Sequence, residues 1–252
     1  MYAYLYDPVL RQRTFRGFLD RLETRLTDFG LGGKIYRLGP LLHLNEIVLE
    51  ETRRKAKTIV AIGTDRLFHQ LLNAPNIQNF VVGFVPINPH SAIGTLLGVP
   101  PQEAAATVLA HRITRSLHLA SANAVRFFWE LSIPFSGSTT LKCDDCYAVT
   151  LSGDSGLITV RNAPSIDAQF MTTLHIKQSL WHRSHSVFHN QKILFEGLKQ
   201  EILIDGQPLG VERLKIEHVP TVLRVIVGRN RHEALDNVEV AAVSGAGALA
   251  MA

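Results

Sequence analysis

An apolar, largely β-branched run, Thr58-Ile59-Val60-Ala61-Ile62, stops at Gly63, and apolar positions Leu67, Phe68, Leu71 and Leu72 follow at helical spacing. The pattern predicts a buried strand, a tight turn and a helix reaching Asn73. The same alternation fills the N-terminal half. Residues 2–6, closed by Pro8, read as a strand; residues 14–29, with Phe15, Phe18, Leu19, Leu22 and Leu26 on one face, read as a helix with Thr14 as N-cap. Gly30, Gly32 and Gly33 end that helix. A strand over 34–38, a helix over 41–54 with Leu44, Ile47 and Val48 inward, and a strand over 80–85 complete the series. Pro100 and Pro101 introduce a packing helix over 102–116 that buries Val108, Leu109 and Ile113. Strands alternating with helices predict a doubly wound α/β domain, in which ligands sit at the carboxyl ends of the strands.

The pattern changes near Asn123. Short β-type runs follow at 125–133, 139–142, 147–151, 156–160, 171–176, 192–196, 200–204, 214–217 and 223–227. Their close spacing predicts a second, β-rich, sandwich-like domain. The expected division is an α/β domain over 1–122, a β-rich domain over 123–228 and a tail over 229–252, where Ala, Gly, Ser and Val recur without a readable period.

Composition alters this picture little. The 252 residues are 46% hydrophobic and 19% charged, as in an ordinary globular protein. No apolar run reaches the roughly 18 residues of a membrane span, and no signal-peptide pattern opens the chain, so a cytoplasmic location is expected. Net charge is +4, with Arg11, Arg13, Arg16, Arg21 and Arg25 in one stretch. That stretch is a solvated helix face or a surface drawn to anionic lipid or nucleotide phosphates; no nucleic-acid motif accompanies it. Cys143 and Cys146 have the spacing of half a zinc site without a second cysteine pair, so no metal site is assigned.

Residues 59–73 resemble the strand–loop–helix signature of the diacylglycerol kinase catalytic-domain family, found also in sphingosine kinases and bacterial lipid kinases. That strand ends in Gly-Gly-Asp-Gly-Thr and that helix in Asn; Gly63, Asp65 and Asn73 match. Residues 81–100 resemble the family's next signature, with Pro86, Ile87, Leu97, Gly98, Val99 and Pro100 in register. Asp7-Pro8 is similar to the opening of its first loop, and residues 202–207 and 219–227 to its late strands. The resemblance implies a nucleotide domain, a β-rich domain packed over it and a substrate between them. ATP and Mg²⁺ are the implied cofactors, a nucleotide and a lipid at a membrane surface the implied partners, and a homodimer an open arrangement.

On this resemblance Asp65 is the expected catalytic residue, as base or metal holder; a turn residue or helix N-cap is its ordinary alternative. Asp7, Gly63, Thr64, Arg66, Asn88, His90 and Ser91 are the expected cofactor-binding positions. The departures fall on the same loops. Thr64 and Arg66 stand where the family has glycine, Leu67 where it has threonine, and Asn88-Pro89-His90-Ser91 replaces Gly-Thr-Gly-Asn. Glycine lets backbone N–H groups approach phosphate, and a proline removes one donor. Gln207 replaces the late glutamate, and an amide cannot take a proton at neutral pH. Asp205 could stand in for that glutamate; beside Gly206 it is read as a turn residue. His182, His185 and His189 with Arg183 form a basic segment that could touch a phosphate or metal; their spacing fits no metal motif, and they are read as a solvated loop. Two functions follow: an ATP-dependent lipid kinase, or a pseudokinase that binds nucleotide, lipid or protein. An enzyme like NAD kinase shares the Gly-Gly-Asp logic and fits the second signature less well.

Overall fold

The computed structural model describes residues 1–40, 42–162, 170–177, 183–196, 198 and 200–235. Its first half alternates strand and helix as the pattern requires: β1 Tyr2–Tyr6, α1 Arg16–Asp28, β2 Gly33–Arg37, α2 Leu44–Arg53, β3 Thr58–Gly63, α3 Asp65–Leu72 and β4 Val81–Pro86. β3 and β4 are buried at every position, which is why both read as continuous apolar runs. The parallel strands lie in the order β2, β1, β3, β4. The chain therefore leaves β1 in one direction and β3 in the other. That reversal puts the loops after β1 and β3 side by side at the switch point where open α/β sheets bind ligands.

α3 turns Leu67, Phe68, Leu71 and Leu72 inward, as expected. Phe68 packs against Phe84 at 5.0 Å and edge-on to Phe128 at 5.7 Å between ring centroids. After β4 come α4 Ala92–Leu97 and α5 Ala105–His111, then β5 Thr114–Ala122. The remaining strands are β6 Val125–Phe127, β7 Glu130–Cys143, β8 Tyr147–Asn162, β9 Phe170–Lys177, β10 Arg183–Asn190, β11 Lys192–Glu196, β12 Ile202–Ile204, β13 Gln207–Leu209 and β14 Arg213–Ile226.

β14 joins the halves. Near one end it pairs antiparallel with β11, from Arg213 to Glu217; near the other, Arg224 and Val225 lie parallel to Val81 and Val82 of β4. β5 runs antiparallel along it, with a register shift between His218 and Val222. Beyond β11 the sheet continues through β7, β8, β9 and β10. Two apolar clusters result, one around β1, β3, β4 and their helices, one inside the β-rich half around Phe127, Phe135, Phe170 and Phe195. Along β5, Leu119 belongs to the first and Ala120 to the second.

Several expected elements differ. The helix foreseen over 102–116 ends at His111, because Arg112 takes a left-handed φ of 50° and the chain turns into β5. Thr14 lies in a 3₁₀ turn and does not cap α1. Residues 147–151 and 156–160 are parts of the single long β8, and residues 214–217 and 223–226 parts of β14, which ends one residue before the expected run does. The stretch 183–190, expected as a loop, is β10; His182 lies outside the described residues. The expected tail begins as packed structure: His232 N–H donates to the Leu96 carbonyl at 2.9 Å, and Leu235 is 1% exposed. No helix among the described residues is long and apolar enough to cross a membrane.

Candidate functional site

Three loops meet at the carboxyl ends of β1, β3 and β4, and two aspartates tie them together. Asp7, directly after β1, accepts the Val9 N–H at 3.0 Å on one carboxylate oxygen. Its other oxygen accepts the Thr64 N–H at 3.1 Å and the Thr64 hydroxyl at 2.6 Å. Gly63 is needed beside it, because a Cβ there would stand 2.3 Å from the Asp7 Cβ. Thr64 begins α3 in extended conformation, but its hydroxyl serves Asp7 and not the helix.

Asp65, in the first turn of α3, crosses to the next loop. One oxygen accepts the Ser91 hydroxyl; the other accepts the N–H groups of Ala92 at 3.0 Å and Ile93 at 3.4 Å. Ser91 in turn accepts the Gly94 N–H at 2.8 Å. The two residues together satisfy the first donors of α4, which otherwise have no intrahelical partner. A carboxylate offers about four lone-pair positions, and three of them on Asp65 face donors of its own chain.

The other expected site residues divide. Ser91 is 4% exposed and belongs to this network. Asn88 and His90 are exposed and bond to each other, the Asn88 side chain accepting the His90 N–H at 2.9 Å. Arg66 is exposed on α3. Asn73 clamps the halves: its amide donates to the Arg126 carbonyl at 3.1 Å and its oxygen accepts the Arg126 N–H at 2.7 Å. Cys143 is buried in the second core and Cys146 is exposed; neither is in a disulfide.

Asp205 has a larger structural part than a turn requires. Its carboxylate accepts the N–H groups of Phe128, Trp129 and Glu130 at 3.0, 3.1 and 2.9 Å. Enclosure by that backbone pushes its pKa up to about 6, while the same N–H donors pull it down. The loop it holds carries Trp129 into a cavity of about 760 Å³ between α4 and the ends of β8, β9 and β10. Arg161, Asn162, His189, Arg231 and His232 also line that cavity; of these only His189, in the His-rich segment, was weighed from the sequence. They come from three separate segments, so no local pattern announces them. A second cavity, about 640 Å³, lies beside Pro8, His43, Gln70 and Asn73.

Comparison with solved structures assigns the fold. A diacylglycerol kinase from Bacillus anthracis str. Sterne superposes at a TM-score of 0.70 with 15% identity, over 90% of this chain and 97% of that one. An NAD kinase from Archaeoglobus fulgidus, solved in complex with ATP, superposes at 0.58 with 15% identity, over 94% of this chain and 97% of that one. No family model and no curated protein matches the sequence. The chain is a divergent protein with the two-part α/β fold of diacylglycerol and NAD kinases.

Proposed function

We propose that the chain is a non-catalytic binding module on this kinase frame. The reading is carried by one observation: the Asp65 carboxylate is turned to α4, with three of its roughly four lone-pair positions taken by Ser91, Ala92 and Ile93. A base for a substrate hydroxyl, or a holder of Mg²⁺, needs a lone pair facing the ligand. The Asp7 carboxylate compounds this, because it holds the Thr64 N–H and sets a negative charge where a phosphate would approach. The residues as arranged do not fit a magnesium triphosphate bound across these loops. No phosphoryl-transfer step is derived.

The frame nonetheless supports ligand holding, with cavities on both flanks of the tied loops. The competing reading, ATP-dependent phosphorylation of a lipid hydroxyl with Asp65 as base, has in its favour the position of Asp65 after β3. Purified protein incubated with Mg²⁺, labelled ATP and mixed lipids separates the two. No labelled lipid is expected. Labelled lipid that disappears in a folded Asp65→Ala variant would overturn the proposal.

A further inference from the structure

We propose that the cavity between α4 and the ends of β8, β9 and β10 binds a hydroxylated phosphomonoester about the size of a sugar phosphate. The assignment rests on the reading of this cleft as a holding site, and it names the ligand. At about 760 Å³ the cavity falls in the range of small-molecule sites. Its charge is one-sided: Arg161 and Arg231 line it together with His189 and His232, and no acidic side chain among the described residues does.

Arg161 is set in advance. Its Nε donates to Glu130 at 2.8 Å, and its guanidinium lies 5.9 Å from the Trp129 ring centroid. Trp129 is braced in turn by the edge of His232 at 5.0 Å. A guanidinium carries five N–H donors, so the bond to Glu130 leaves others for a phosphate, which arginine's fork suits.

The hydroxyl requirement comes from Asn162. This residue is fully buried in the cavity wall, and its side-chain N–H group donates to the His118 and Phe128 carbonyls at 2.6 and 3.2 Å. Its carbonyl oxygen has no partner among the described residues. A buried acceptor left unmet is costly; the oxygen is closed off in the free protein, and a small displacement of the wall on binding lets a ligand hydroxyl supply the missing donor. Trp129, Met171 and Leu96 give the carbon skeleton an apolar wall.

The same chemistry occurs in a free sugar phosphate and in a phosphorylated inositol headgroup. Calorimetric titration with ribose 5-phosphate, ribose and inorganic phosphate, beside flotation with phosphatidylcholine vesicles with and without phosphatidylinositol 4-phosphate, distinguishes them. Ribose 5-phosphate or the phosphoinositide vesicles should bind more tightly than ribose or phosphate alone. Arg161→Gln and Arg231→Gln should each weaken binding about 10- to 100-fold. His189→Gln, at an exposed position, should weaken it several-fold and serves if the arginine variants fail to fold. Indifference to both ligand forms, equal binding of inorganic phosphate, or binding that survives all three substitutions would overturn the assignment. Label transferred from ATP to lipid would instead remove the reading beneath it, so the two failures are separable.

Discussion

The Asp7 carboxylate takes both the N–H and the hydroxyl of Thr64, a residue 57 positions away, and so closes the gap between the loops after β1 and β3. This is the point at which an anion would otherwise meet free backbone donors. Asp7→Asn removes the charge and keeps an acceptor oxygen. Its affinity for ATP should rise about tenfold or more, with a stability loss of about 1–2 kcal/mol. Titration of both proteins under identical salt checks it, and an unchanged affinity would show that Asp7 does not guard the loops.

Asp65 and Ser91 should behave as one unit. Each alanine substitution removes part of the α4 cap and should cost about 1–2 kcal/mol. Because they share one network, the double variant should cost less than the two added, by about 1 kcal/mol in a denaturant-unfolding cycle. Strict additivity would mean that Asp65 is not used as the structure places it.

Two buried groups should oppose each other in acid. Asp205 is pushed up to about 6 by burial, above its ordinary value of 3.8, so its contribution is present below about pH 4 and is lost as pH rises through 6. His218, stacked on Phe170 at 4.1 Å, is pulled down to about 4 by burial and by His118. Its contribution is present above 6.5 and is lost as pH falls toward 4. The slopes partly cancel between pH 4 and 6.5. Asp205→Asn should therefore lose stability on acidification more steeply than the parent, and His218→Gln less steeply, by thermal unfolding across that range.

Leu235 tests whether the chain beyond β14 is part of the fold. Its side chain is buried in the first core, so Leu235→Ala should cost about 2–4 kcal/mol by urea unfolding. A cost near zero would return this segment to the status of a loose end.

The parallel half was readable because its signals are local. β3 and β4 are buried runs, and α3 has a clean apolar face. α4 was not, since its six residues are less than two turns, include Gly94, and expose only Ala92 and Thr95, too short a stretch to give a period. In the β-rich half, the runs 147–151 and 156–160 were read as separate strands. β8 runs through both, and Gly156 lies inside it, where a Cβ would stand 2.2 Å from the Phe135 ring. The glycine there makes room for packing, and the strand continues through it. For the site, Asp65 and Ser91 were legible as positions, but their bond to each other was not. The Asp7 tie and the cavity around Arg161 depend on contacts between distant segments, which no window of sequence contains.

β14 has a mechanical consequence. A single continuous backbone lies in the parallel sheet at one end and in the β-rich half at the other, so the two cannot swing like jaws about a loose connector. Any closure over a bound molecule must bend this shared beam, and the pivot the fold provides is the irregular stretch between His218 and Val222, where its ladder with β5 is already broken.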